Sequence, residues 1–229
     1  MARIFTLSSP FGDKLKFDSM SVDEGLGRLF ELTLVGTSEH GDLKSDDVLG
    51  KSVTVTMAVP ERPVRHFNGY CVRVQRGQVR GEFFIYTLHL RPWLWFLTRT
   101  SDCKIFQKKT VPEILKEVFA DEPTQSVDER LSGNFQAWDY CVQYRETDFD
   151  FVSRLMEQEG IYYYFEHSAG GHKAVLCDSK TAHLPMAGAR IPFVGLGSGT
   201  RTQHEFITNW SEDREVQSGM VTIDDYGSG

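Results

Sequence analysis

His167, His172, Cys177 and His183 fall within one short stretch, and imidazole and thiolate are the groups that hold zinc. Their spacing matches no closed tetrahedral set, and a hairpin through them would aim them in different directions. They are read as turn and strand residues. A second cluster is acidic: Glu146, Asp148, Asp150, Glu157 and Glu159 precede the tyrosine-rich run "IYYYFEH". Paired carboxylates can perform general acid–base work. Here Asp148 and Asp150 suit the first turn of a helix, where the positive end of the dipole favours them, and Glu157 and Glu159 suit its solvated last turns. A third candidate, Gly195-Leu196-Gly197-Ser198-Gly199, mimics a phosphate-cradling loop, yet it contains no lysine and no periodic helix follows it. No serine stands in a Gly-x-Ser-x-Gly elbow. The expectation is a chain with no catalytic, cofactor-binding or metal-ligating residues, whose tyrosines form a half-exposed sheet face or an interface.

The elements that carry these residues follow from periodicity. Strand signals dominate residues 1 to about 92. Phe30, Leu32 and Leu34 alternate with polar neighbours, as do Val53, Val55 and Met57; Tyr70, Val72 and Val74; and Phe84, Tyr86, Leu88 and Leu90. The stretches "EHGDLKSDDVLG" and "RGQVRGE" read as breaks, and Pro92, which cannot donate to a ladder, ends the last strand. A small barrel or sandwich is implied.

Helical signals then appear. Thr110, Pro112 and Glu113 form a start signature before Ile114, Leu115, Val118 and Phe119, and Glu122-Pro123 stops the helix. "YCVQY" is a short strand. Thr147 caps a second helix with Asp150 at the box position, an apolar stripe runs through Phe149, Val152 and Met156, and Gly160 fits the left-handed residue after it. "IYYYFEH" resumes period two, with Ile161, Tyr163 and Phe165 on one face; "SAGG" is a turn and "HKAVLCDS" a returning strand. The fold class is α+β, mainly β: a small barrel over 1–93, an α+β domain over 94–205, and the beginning of a second barrel over 206–229, where strand character returns around Val221 and Ile223.

Composition narrows the function. With 25 basic and 32 acidic side chains, the net charge of −7 is spread along the chain and argues against nucleic acid as a partner. No run approaches the roughly 18 apolar residues of a membrane span. The N-terminal "MARIFTLSSPFG" lacks the apolar core of a signal peptide, so the chain reads as folded in the cytoplasm. Cys71, Cys103, Cys141 and Cys177 form no CxxC and read as buried, reduced thiols.

From Tyr144 the stretch "YRETDFDFVSRLMEQEGIYYYFEH" resembles the N-terminal hub region of the VgrG proteins, the valine-glycine repeat spike proteins of bacterial type VI secretion. "RPWLWFLTRTSDCKIFQKKTVPEILKEVF" and "REVQSGMVTIDDY" are similar to the same family. The resemblance implies a fold related to the tail hub of contractile phages, in which each chain carries two similar β-barrels with an α+β domain attached. Three chains form a ring that seats on the Hcp tube, and a spike beyond it is tipped by a PAAR protein. Effectors or adaptors would ride on further C-terminal regions. It also implies assembly in the cytoplasm followed by injection into a target cell. A hub that ends where its second barrel begins is expected to be monomeric or weakly associated by itself. Three other readings stay open: a hub of a contractile phage or phage-tail-like particle, a hydrolase of cell-wall glycan, and a small-molecule-binding barrel.

Overall fold

The computed structural model describes residues 4–59, 63–185, 191–195, 206–216 and 219–220. Met1–Pro185 form one compact unit and Met186–Gly229 a second.

The first half of the larger unit is a curled antiparallel sheet. Its strands are β1 (Ile4–Ser8), β2 (Lys16–Asp23), β3 (Glu31–Ser38), β4 (Ser52–Ala58), β5 (Arg65–Arg80) and β6 (Phe83–Arg91), in the spatial order β1-β4-β5-β6-β3-β2. The alternation read from β3, β4 and β6 holds. Leu32 pairs with Leu90 and Leu34 with Leu88 across the β3–β6 ladder, and these four side chains are fully buried with Phe30, Val53, Val55 and Tyr86. Each fully buried aliphatic or phenyl side chain contributes about 1.5–3 kcal/mol of transfer free energy, so this inner face organises the sheet. The outermost strands approach each other as well. Phe5 of β1 and Phe17 of β2 stack at 4.7 Å with their planes 10° apart, which draws the sheet into a half-barrel.

β5 departs from the sequence reading twice. "RGQVRGE" is no break: β5 runs on through Arg80, and the turn is confined to Gly81-Glu82. The inward residues are Phe67, Gly69 and Cys71, whereas Tyr70 points out of the opposite face, against the second core. Only past an irregularity between Cys71 and Arg73 does Val74 return to the core of the sheet. A one-residue bulge exchanges the faces of a strand, and periodicity alone does not locate it. Gly69 is required at its place, because a Cβ there would come within 2.9 Å of Leu90 Cβ and 3.2 Å of the Phe30 ring.

The second half is a helical and sheet layer. A 3-10 turn over Trp93–Thr98 follows Pro92, then β7 (Ser101–Phe106), α1 (Val111–Ala120), β8 (Val127–Arg130), β9 (Cys141–Thr147), α2 (Asp148–Gln158), β10 (Tyr162–Ser168) and β11 (Gly171–Cys177). β10 and β11 form the expected hairpin, β8 adds to β11 in parallel, and β7 pairs with β9. Both helix starts are as read. The Glu113 carboxylate accepts from the Thr110 N–H at 2.8 Å and from its hydroxyl at 2.9 Å. The Thr147 hydroxyl accepts from the Asp150 N–H at 3.0 Å while donating to that residue's carboxylate. α2 closes through Gly160 at φ 69°, with Ile161 N–H bonding Met156 O and Gly160 N–H bonding Glu157 O, the two reverse bonds of a Schellman end. Trp93, Phe106, Ile114, Leu115, Phe151, Leu155 and Tyr163 form the core of this layer. Phe165 packs against both cores.

Three of the cysteines, Cys71, Cys141 and Cys177, are buried as expected, and all four are free. Cys103 is exposed instead, because it lies at a bulge where β7 passes Asp102 to Lys104 opposite the left-handed Arg145. In the smaller unit Phe193 and Ile207 form a parallel bridge, with Val194 N–H donating to Ile207 O and Ile207 N–H to Pro192 O, both at 2.9 Å. The strand expected around Val221 and Ile223 lies outside the described residues, as do positions 196–199 of the glycine-rich loop.

Candidate functional site

The acidic cluster separates into structural pairs. Glu146 takes a two-pronged contact from Arg154, with Nε to Oε2 at 2.9 Å and Nη2 to Oε1 at 2.8 Å, and this pairing holds its carboxyl below the ordinary value. Asp148 accepts from Gln143 Nε2 at 2.6 Å, Asp150 completes the cap of α2, and Glu157 is exposed in the last turn. The carboxylates therefore fix β9 to the start of α2.

The four candidate zinc donors do not converge. His167 and His172 face each other across the base of the hairpin turn, 5.9 Å apart between ring centroids. Cys177 lies at the far end of β11, opposite Tyr162. His183 stacks on Tyr162 and packs against Tyr164, at 5.7 and 5.2 Å. Among the described residues no three His, Cys, Asp or Glu side chains are placed to hold a metal.

Reading His167 and His172 as ordinary turn and strand residues missed their role, for they join the two layers. Asn68, fully buried on β5, is the centre of the joint. Its side-chain amide donates to Ser52 Oγ at 2.8 Å, Thr54 Oγ1 at 2.7 Å and Val53 O at 3.3 Å, and its Oδ1 lies 2.7 Å from His172 Nδ1. Its backbone N–H donates to His167 Nδ1 at 3.0 Å, and the Trp93 N–H donates to His172 Nε2 at 2.9 Å. His167 Nε2 sits 2.6 Å from Glu24 Oε1. The rings of Phe30, Tyr70 and Phe165 surround His172, and burial, with some help from His167, pushes its pKa down to about 3. A further bond, Gly27 N–H to Tyr163 O at 2.8 Å, ties the β2–β3 turn to β10. Sequence reasoning had no signal for Glu24, Asn68 or Trp93, because the partners lie 79 to 143 residues apart.

Two further surfaces stand out. On the outer face of β8, β11 and β10, Arg130 bonds Asp128 and Glu166, both at 2.8 Å, and the Tyr164 hydroxyl at 2.7 Å. Lys173 bridges the same two carboxylates at 3.0 and 3.1 Å. Tyr162 and Tyr164 are half-buried on this face and Tyr163 is buried beneath it, as the period-two reading expects. On the β7–β9 pair, Tyr140, Val142 and Tyr144 alternate with buried Cys141 and Gln143 and are exposed, and Ile105 stands opposite Val142. That apolar face has the composition of a contact surface.

The chain is similar to curated spike proteins of Pseudomonas aeruginosa. It is 44% identical over 226 residues to the type VI secretion system spike protein VgrG1b, covering 98% of this chain and 30% of that protein. To VgrG1a it is 42% identical over 228 residues, covering 99% of this chain and 35% of that one. The chain thus spans about a third of the length of these relatives. Among solved structures, the E. coli c3393 protein superposes with a TM-score of 0.68 at 22% identity, over 77% of this chain and 50% of that one. That protein is described as a component of the type VI secretion system with structural similarity to the T4 bacteriophage tail proteins gp27 and gp5. The profile of the phage tail baseplate hub (GPD) family matches residues 23–228, so the curled sheet, the joined α/β layer and the match along nearly the whole chain lead to one conclusion: this chain belongs to the phage tail baseplate hub family.

Proposed function

We propose that this chain is the hub portion of a type VI secretion spike, a structural part that links the Hcp tube to the puncturing tip and helps deliver effectors. The observation that carries the reading is 44% identity to a spike protein along 98% of the chain. The hydrogen-bonded joint between sheet and α/β layer suits a part that transmits load when a sheath contracts. In this reading residues 1–93 form the first hub barrel, 94–205 the attached α+β domain and 206–229 the start of a second barrel. The full-length protein is a homotrimer seated on the tube ring, with a PAAR protein and effectors or adaptors held through further regions. It assembles in the cytoplasm and leaves with the spike. The role is mechanical and not enzymatic, since every acidic residue of the cluster singled out above that bonds a neighbour does so to fix local structure.

The test is export of the tube subunit from a strain in which this is the sole spike protein. Deletion should abolish export, and the full-length gene should restore it. Unchanged export after deletion would overturn the reading. Turnover of peptidoglycan by the purified chain would instead favour the glycan hydrolase.

A further inference from the structure

Two imidazoles of the β10–β11 hairpin are both bonded to Asn68 of the curled sheet, and each accepts a backbone N–H, His167 from Asn68 and His172 from Trp93 of its own layer. An imidazole accepts only at the nitrogen that carries no proton. The bonds therefore set both tautomers. His167 is bare at Nδ1, where Asn68 N–H arrives, and carries its proton on Nε2 toward Glu24. His172 is bare at Nε2, where Trp93 N–H arrives, and carries its proton on Nδ1 toward Asn68 Oδ1. In neither ring can a second proton be placed without meeting a donor hydrogen head-on. From this geometry we infer that the His167–His172 pair is an acid-sensitive latch: a proton taken up by either ring expels a backbone N–H, and the β10–β11 hairpin releases the sheet while the sheet stays folded.

The surroundings favour release over accommodation. Glu24, from the β2–β3 turn, lies 2.6 Å from His167 Nε2. From β5 come Tyr70, whose ring lies 5.6 Å from His172, and Arg65, whose guanidinium covers Phe67. His66, two residues before Asn68, is bonded to Thr56 at 3.0 Å. From the hairpin, Glu166 and Lys173 line the same cleft as the two histidines, but both are held in the Arg130 and Asp128 ladder. The 3-10 turn contributes only the Trp93 N–H and the Phe96 ring nearby, and β4 contributes hydroxyls and a carbonyl through Asn68. No carboxylate bonds His172 among the described residues, so a charge there has no counterion. Once His167 is charged, its ring repels a second charge 5.9 Å away. Opening of the hairpin relieves this repulsion and parts both rings from Asn68 at once.

Hydrogen exchange read by mass spectrometry tests the latch, from about pH 7.5 to about pH 4, across the ordinary histidine range. Each rate is divided by the intrinsic rate at its pH to give protection. Segments holding Asn68 and Trp93 should lose protection about ten-fold or more, while β3 and β4 keep theirs, as expected for a local opening. His167→Gln, which keeps a side-chain acceptor that does not titrate, should flatten the fall at Asn68, and His172→Gln should flatten it at Trp93. Equal loss in all segments, undiminished protection at Asn68 and Trp93, or an unaltered fall in His167→Gln would each overturn the inference. If His172→Gln does not fold, the parent profile and His167→Gln decide.

Discussion

Replacing Asn68 with alanine would remove the centre of the joint without touching either histidine. The side chain is fully buried and bonds four groups, Ser52 Oγ, Thr54 Oγ1, Val53 O and His172 Nδ1. The two hydroxyls can turn to new partners, so their losses are small. The His172 Nδ1–H cannot, because the ring is 6% exposed and its other nitrogen is held by Trp93 N–H. Leaving such a donor unpaired costs about 1–3 kcal/mol, and the vacated volume and the lost Ser52 and Thr54 contacts bring the sum to about 3 kcal/mol. For a chain of this length that lowers Tm by about 6–12 °C. Urea denaturation followed by tryptophan fluorescence and far-ultraviolet circular dichroism measures the difference directly. Combining Asn68→Ala with His172→Gln should cost at least about 1 kcal/mol less than the sum of the single changes, since both remove the same bond. A loss under about 1 kcal/mol for Asn68→Ala, or full additivity, would refute the view that this amide organises the joint.

Other substitutions and conditions give separate checks. Thr147→Ala should cost about 1 kcal/mol in equilibrium denaturation by removing the acceptor of the Asp150 N–H. Gly160→Ala should cost about 1 kcal/mol, because φ of 69° places a Cβ in the left-handed region, and thermal melts would show it. The folded pKa of His172, about 3, lies below its ordinary 6.5, so between those values the unfolded chain binds a proton that the folded chain refuses. Stability is then full above about pH 6.5 and falls as pH drops toward 3, by at most about 5 kcal/mol; a urea midpoint that stays flat from about pH 7 to about pH 5 would contradict this. Dialysis against EDTA should leave Tm unchanged, whereas a fall of several degrees would mean that the histidines hold a structural metal.

Where structure was legible in the sequence, local chemistry decided it. Leu32, Leu34, Leu88 and Leu90 alternate because one face of their strands is buried, and Thr110, Thr147 and Gly160 mark helix ends because those ends leave backbone groups that need particular partners. β8, whose four residues are three charged groups and a valine, has no alternation to read and exists because β11 offers it an edge. The faces of β5 were misread because its outer side is covered by a layer that begins only at Trp93, so Tyr70 is apolar for a different core. The joint was illegible for the same reason in stronger form. Asn68 and His172 are individually unremarkable polar residues, and only the fold brings them within 2.7 Å.

The stacked rings of Phe5 and Phe17 have a mechanical corollary. A barrel sealed by backbone hydrogen bonds has its diameter fixed by strand number and stagger. Here the outermost strands β1 and β2 meet through two phenyl faces, and such contacts are weak one atom at a time and free of strict direction. The rings can slide by a fraction of an ångström without severing a ladder. The sheet thus behaves as a split collar whose bore can yield slightly while its wall, β4-β5-β6-β3, keeps every rung intact.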